Sequence, residues 1–218
     1  NHGMVGVRIE SFPTGPLACN CSIVMDEETK QAVVIDPGGD FPLIQEKLQL
    51  LGAEVCNIVH THTHIDHVGA TAPLQESSGA PARIHEEDRF LYDMLSVQAA
   101  MLGMPQPPTC EIHGDLVDDH AVKVGGLEVG VLHTPGHTPG SVSFVVNTPS
   151  GKVLFAGDTL FRRSIGRTDL WGGDHPLILR SISERLLTLD GDTRVITGHG
   201  PETTVGEEIA QNPFVGGG

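Results

Sequence analysis

Apolar and polar residues alternate over Val5–Ser11, and short apolar runs occupy Cys21–Met25 and Gln31–Ile35, so three strands are predicted at the start of the chain. Polar Asp26–Lys30 between the last two predicts a hairpin turn, and Asp36-Pro37-Gly38-Gly39 a sharp bend. From Leu43 to Leu51 the apolar period lengthens to that of a helix, which Gly52 ends. Val55–Val59 predicts a buried strand, followed by a helix from about His67 to Ser77. Ala82–His85 predicts a short strand, and Glu86 to about Met101 an amphipathic helix.

A Pro-rich linker, Gly103–Pro108, precedes a second series of strands at Ala121–Val124, Leu127–His133, Ser141–Val146 and Val153–Ala156. The stripe Leu177, Ile178, Ile182, Leu186 and Leu187 predicts a helix over His175–Leu189, and Arg194–Thr197 a final strand. The first third is β-rich and strands then alternate with helices, which by itself says α/β. The length suits one domain over residues 4–215, built as two β-rich halves that divide near 103–110. Asn1-His2-Gly3 before Met4 reads as a vector remnant, and His2 is excluded from any site.

Charge and cysteine content narrow the function classes. A formal net charge of −15 argues against a nucleic-acid surface, which needs clustered Lys and Arg. No apolar stretch approaches the length of a membrane span, and no secretory leader is recognisable, so a cytoplasmic location is expected. Coiled-coil heptads are absent, and the oligomeric state is left open. Cys19, Cys21, Cys56 and Cys110 form no Cys-x-x-Cys or zinc-knuckle pattern and read as reduced thiols, most of them buried. A disulfide between Cys19 and Cys21, on one side of a strand, would be strained.

The chemistry concentrates in His62-Thr63-His64-Ile65-Asp66-His67, directly after the Val55–Val59 strand. Three further candidates stand in Gly-containing turns: His137 in Thr134–Gly140, Asp158 in Ala156–Thr159 and His199 in Thr197–Pro201. Imidazole and carboxylate without thiolate suit zinc, iron or manganese and do not suggest an all-sulfur structural zinc site. In an extended segment His62 and His64 share a side and can grip one ion. Asp66 and His67 come after the chain turns and can face a second, with Asp158 bridging the two. Two ions roughly 3.5–4 Å apart would hold a shared hydroxide, a nucleophile at neutral pH.

These motifs resemble the metallo-β-lactamase superfamily, whose signature is His-x-His-x-Asp-His followed by His, Asp and His. The resemblance spans nearly the whole chain and extends to Asn20-Cys21-Ser22, Ile35–Gly39, Gly157–Phe161 and Gly166-Arg167-Thr168-Asp169, which look most like the short glyoxalase II-like hydrolases. It implies a four-layer αβ/βα sandwich. It also implies that His62, His64 and His137 bind one metal and Asp66, His67 and His199 the other, with Asp158 between them. The activity so implied is hydrolysis of a thioester, an acyl-glutathione, with Asp66 orienting the hydroxide and accepting its proton. The cofactor would be two divalent ions, zinc with iron or manganese as alternatives.

The sequence also departs from those enzymes. Full-length glyoxalase II proteins carry a C-terminal helical domain and hold glutathione with a Lys and, two residues on, a Tyr. Here the sequence ends with Glu207–Phe214 soon after His199, and Arg167 and Asp169 stand in that loop. The fold and much of the motif set, including the Gly-Arg-Thr-Asp turn, are shared with persulfide dioxygenases, which use one iron. The Thr197–Pro201 and Asn212–Phe214 segments look more like the short hydrolases. A lactonase or β-lactamase would use the same nucleophile, although β-lactamases typically lack the bridging carboxylate. A non-catalytic metal-binding protein would have no need of an open two-metal site.

Of the remaining residues, Asp36 either closes its turn, or orients a ligand from behind, or both. Arg167 either docks a substrate carboxylate or pairs with Asp169, and Arg162 and Arg163 are expected to be solvated. His60 and His133 are expected as hydrogen-bonded core or strand-end residues. His85, His113 and His120 are expected at the surface or in turns, and His175 as a helix cap.

Overall fold

The structure, a computed structural model, describes residues 5–216; the Asn1–Met4 segment read as a vector remnant and start lies outside the described residues. Along the chain come β1 (Val7–Thr14), β2 (Cys19–Asp26), β3 (Gln31–Ile35), α1 (Phe41–Leu51), β4 (Glu54–Val59), α2 (Ile65–Val68), α3 (Thr71–Ser78) and β5 (Ala82–Arg83). After them follow α4 (Arg89–Asp93), α5 (Leu95–Leu102), β6 (Ile112–His113), β7 (Ala121–Val124), β8 (Leu127–His133), β9 (Val142–Thr148) and β10 (Gly151–Gly157). The last elements are β11 (Leu160–Phe161), β12 (Ser164–Ile165), α6 (His175–Ser181), β13 (Arg194–Thr197), β14 (Thr203–Thr204) and α7 (Val205–Gln211).

Two six-stranded sheets result, one ordered β1-β2-β3-β4-β5-β6 and the other β14-β13-β10-β9-β8-β7. The central strands are apolar almost throughout because both of their faces are buried. Val24, Val33, Ile35 and Val59 of the first sheet meet Val129, Val131, Phe144 and Phe155 of the second between the sheets. Their strand neighbours Ile23, Val34 and Ile58 point the other way, onto Ile44 and Leu48 of α1, Leu74 of α3 and Leu95 of α5. On the second sheet Leu154 and Ala156 turn outward onto Ile178, Ile182 and Leu186. The layers are therefore helix, sheet, sheet, helix, the expected αβ/βα sandwich. No helix among the described residues is long and apolar enough to cross a membrane.

Two expected helices are broken, each where a polar contact takes priority. The helix expected from His67 to Ser77 is split into α2 and α3 at Gly69–Ala70, where the chain lies against the Asp36–Gly39 turn; Ala70 N donates to Pro37 O at 2.9 Å. A side chain at Gly69 would overlap the Gly38 carbonyl. The helix expected over Glu86–Met101 divides into a single tight turn at Glu86–Asp88, then α4, then α5, with the break at Met94. There the buried Gln98 side chain takes the Leu91 carbonyl at 2.8 Å. The helix expected over His175–Leu189 is α6 followed by a wider turn at Ile182–Leu186. Pairing of β6, β14 and the β11–β12 ribbon, and helix α7, went unread in the pattern because these elements are short.

Strands β3 and β4 run parallel, as do β10 and β13, and two antiparallel steps give β8 the direction of β10. Their C-terminal ends carry Asp36, the His62–His67 run, His137, Asp158 and His199. Parallel direction thus brings residues far apart in sequence to one edge of the sandwich.

Candidate metal centre

The His62–His67 run leaves β4 with alternate residues tied down from behind. Thr61 donates from N and Oγ1 to Asp36 Oδ1 and Oδ2 at 2.8 and 2.6 Å. Thr63 N donates to Asp88 Oδ2 at 2.9 Å, and Ile65 N to Gln98 Oε1 at 2.8 Å. With Thr61, Thr63 and Ile65 anchored, period-two geometry turns His62 and His64 to the open side. Asp66 and His67 follow in the first turn of α2.

Two groups of side chains able to hold a cation meet at this edge, His62, His64 and His137 in one and Asp66, His67, Asp158 and His199 in the other. All seven sequence-predicted candidates are therefore brought together. Asp158 touches both groups: Oδ2 lies 3.8 Å from His62 Nε2, 3.6 Å from His137 Nε2 and 3.4 Å from His199 Nε2, while Oδ1 is 3.3 Å from His67 Nε2. Asp66 Oδ2 lies 3.0 Å from His199 Nε2 and 3.5 Å from His67 Nε2. The backbone makes room for this carboxylate. Gly157 adopts φ 53 at the bulge ending β10, and a side chain at Gly198 would overlap Asp158 Oδ1.

The hydrogen bonds on the far side of the rings fix which nitrogen faces inward. His137 Nδ1 donates to Arg167 O at 2.7 Å, His199 Nδ1 to Leu17 O at 3.0 Å, and His67 Nδ1 to Asp36 Oδ2 at 3.0 Å. Carbonyl and carboxylate oxygens only accept, so each Nδ1 carries the proton and each Nε2 offers a lone pair. His64 Nδ1 and His137 Nε2 face each other at 3.1 Å. His62 Nε2, His67 Nε2 and Asp158 Oδ1 are buried without a hydrogen-bond partner. Buried acceptors left bare are costly in a folded protein, and a divalent cation is the partner that this donor set fits.

The electrostatics agree with that fit. Burial pushes the His62 imidazole well below its ordinary value and His64 down to about 3, keeping both neutral with lone pairs free. Burial alone would raise Asp158, but His67 and His199 hold its carboxyl well below the usual range. Burial also lowers His199, yet Asp158 and Asp66 carry it up to about 10. The carboxylates thus require positive charge beside these nitrogens, the charge that a metal brings.

Other sequence expectations divide. Asp36 both closes its turn, at φ 54, and orients Thr61 and His67. Arg167 pairs with Asp169 at 2.6 and 2.9 Å, and its main-chain oxygen, not its charge, holds His137. Arg162 is exposed, but Arg163 is not simply solvated: it binds the buried Glu208 at 2.5 Å and Glu207 at 3.5 Å. His60 is satisfied on both nitrogens, by Arg83 O and Thr71 Oγ1, as expected of a core residue. His133 contacts Pro139 O and stacks on His85 at 4.2 Å, and the half-buried His85 lies at a turn, as expected, its Nδ1 accepting from Glu87 N. His113 and His120 are exposed. The cap of α6 is Asp174, whose side chain accepts from Leu177 N, and His175 is the first helical residue, because a carboxylate accepts the free amides there. All four cysteines are free; Cys19 and Cys21 are buried, Cys56 and Cys110 partly so.

Two supporting residues escaped the sequence reading. Fully buried Asp88 accepts from Thr63 N, Thr138 Oγ1 and Gly140 N, tying the loop of His62 and His64 to that of His137. Gln98 spans from Ile65 to Leu91. Asp88 was masked by the acidic run Glu86-Glu87-Asp88, which looks like a solvated helix start. A polar residue on the apolar stripe was the signal for Gln98. The cluster itself, through His64, Asp66, His137, Asp158 and His199, lines part of a cavity of about 310 Å³ whose apolar lining is Leu17, Met101, Leu102, Leu170 and Trp171.

The sequence pattern of the metallo-beta-lactamase superfamily matches residues 14–199, and the chain belongs to that superfamily. Its members are generally hydrolytic enzymes, and its fold binds divalent metals, often in pairs. The chain is 37% identical over 216 residues to the hydroxyacylglutathione hydrolase GloC of Haemophilus influenzae, covering 96% of this chain and 98% of that one. The crystal structure of BLEG-1, a B3 metallo-beta-lactamase, superposes with a TM-score of 0.88 at 37% identity, covering 95% of this chain and 99% of that one. TTHA1623, crystallised in a di-iron-bound form, gives 0.81 at 39% identity, covering 94% and 99%.

Proposed function

We propose that the chain is a dinuclear metal-dependent hydrolase of thioesters, with an acyl-glutathione as the substrate class. The observation that carries this is Asp158, one carboxylate in contact with both histidine groups, beside ring nitrogens that have no other partner. His62, His64 and His137 would hold one ion and Asp66, His67 and His199 the other, Asp158 bridging; zinc fits, and iron or manganese fit the same donors. When bound, such a pair supplies an activated hydroxide and polarises a carbonyl.

The chain's own residues set the rest. Asp36, Arg167 O and Leu17 O keep three imidazoles in the tautomer whose Nε2 faces inward. Asp66, between His67 and His199, is placed to accept the proton of the attacking nucleophile. Apart from these histidines and carboxylates, no side chain lining the cavity can act as a general acid among the described residues. A thiolate leaves without one, because thiol pKa values lie near 8–9; an amide nitrogen does not leave so readily, which favours thioesters over β-lactams. The name of the Haemophilus influenzae relative points the same way.

Ligands drawn from both halves make residues 4–215 one catalytic unit whose halves meet near 103–110. Four unpaired thiols suit a cytoplasmic setting. The test is hydrolysis of S-lactoylglutathione by metal-replete protein. Turnover that falls at least 10²-fold in Asp158→Ala is expected; turnover that survives this substitution, or oxygen uptake with a persulfide in place of hydrolysis, would overturn it.

A further inference from the structure

The wall of the cavity beside the metal cluster is apolar and partly open. Leu17 is 46% exposed, Met101 63% and Leu102 47%, an unusual display of large apolar side chains around one opening. Leu170 and Trp171 complete the wall, half-buried, with the Trp171 ring 6.4 Å from the His64 ring. Of the wall's two polar side chains outside the cluster, Gln98 is fully committed and Arg167 leans on Asp169. Gln98 gives Oε1 to Ile65 N and Nε2 to Leu91 O and Thr63 O, and Arg167 turns Nε and Nη2 to Asp169. A hydroxyl beside the scissile carbonyl would find no free carboxamide, and the nearby guanidinium is already drawn onto Asp169.

From this wall we propose that the acyl half of the substrate is an unsubstituted alkyl chain of several carbons, bound against Leu17, Met101, Leu102 and Trp171, rather than a short 2-hydroxyacyl group. The proposal rests on the thioester chemistry above. It follows because, in a thioester of a charged peptide thiol, only the acyl half is apolar enough to cover that wall.

The test has two readouts. In kinetics, kcat/KM over S-propionyl-, S-butyryl- and S-hexanoylglutathione is expected to rise about two- to fourfold per methylene, with S-lactoylglutathione below S-butyrylglutathione. The Met101→Ser, Leu102→Ser pair is expected to flatten the slope; both residues are exposed, so the fold is retained. The second readout needs no turnover. Trp171 is the single tryptophan of the chain, and its emission is followed during titration with S-hexylglutathione and S-methylglutathione. At least tenfold tighter binding of the hexyl compound is expected. Hydrolysis with no dependence on chain length would overturn the alkyl-chain proposal and leave thioester hydrolysis standing. Absence of hydrolysis with preferential binding of the hexyl compound would overturn thioester hydrolysis and, with it, the acyl assignment, leaving only an alkyl-binding wall. Equal binding of the two thioethers, or Trp171 emission that shifts with protein concentration alone and so assigns the wall to a second copy of the chain, would also overturn the alkyl-chain proposal.

Discussion

At the scale of single residues, what distinguishes this edge is the division between side chains that face inward and side chains that hold them. Asp36 lies 30 residues before Asp66, yet it fixes the proton on His67 and seats Thr61. Asp36→Asn keeps the shape but loses an acceptor, and metal affinity measured by chelator competition is expected to fall about 10–100-fold. Unchanged affinity would reduce Asp36 to a turn residue. Asp88 has a different role: removing it strands Thr63 N and Gly140 N in the interior, while Thr138 Oγ1 keeps Ser141 Oγ. At about 1–3 kcal/mol for each unsatisfied group, Asp88→Ala should destabilise by roughly 2 kcal/mol or more in urea unfolding. All seven inward-facing residues were legible in the sequence because their chemistry is rare and their spacing tight. Asp88 and Gln98 were not, because nothing in a residue's type says that a backbone amide will be waiting for it across the fold.

Among the elements, the loop after Asp158 is secured by an ion pair, half-buried at Arg163 and buried at Glu208, that joins it to β14 and α7. Arg163 enters this loop at φ 60 and meets Glu208, which also accepts from Thr203 Oγ1 at 2.5 Å and Asn212 Nδ2 at 3.0 Å. Burial pushes the Glu208 carboxyl up, but the Thr203 hydroxyl, the Arg163 amide and guanidinium and Asn212 more than offset it, leaving it below its ordinary value. A depressed folded-state pKa contributes stability above the unfolded value, about 4.3, and that stability is lost as pH falls through the folded value. The gap in Tm between the native chain and Glu208→Gln is therefore expected to be largest near neutrality and to close below about pH 4. A gap that is constant with pH would contradict the role given to the carboxylate. Strand positions were legible to within a few residues, since period-two and continuous apolar runs leave little choice. Helix continuity was not: Gly69 and Met94 break helices through tertiary contacts that a periodic pattern does not encode.

At the scale of the whole molecule, two sheets facing each other place their core between the halves of the chain, and the cluster closes one edge of that core. Phe144, fully buried between the sheets, is with Phe155 one of the two largest side chains there; Phe144→Ala is expected to cost about 3–5 kcal/mol of unfolding free energy. Ions held by residues from both halves should also stabilise the folded state. Chelation is expected to lower Tm by about 5–10 °C if the metal is supplied at a hundredfold excess over Kd. The four-layer order was legible only through the resemblance to a known superfamily; periodicity alone gives α/β without saying how the sheets stack.

The most direct measurement is elemental analysis of protein purified without chelators, repeated on Asp158→Ala. About two zinc, iron or manganese ions per chain in the native protein, with loss of at least one in the variant, is the expected result. One ion or none per chain in fully loaded native protein, or full occupancy in the absence of the Asp158 carboxylate, would contradict a dinuclear centre bridged by that residue.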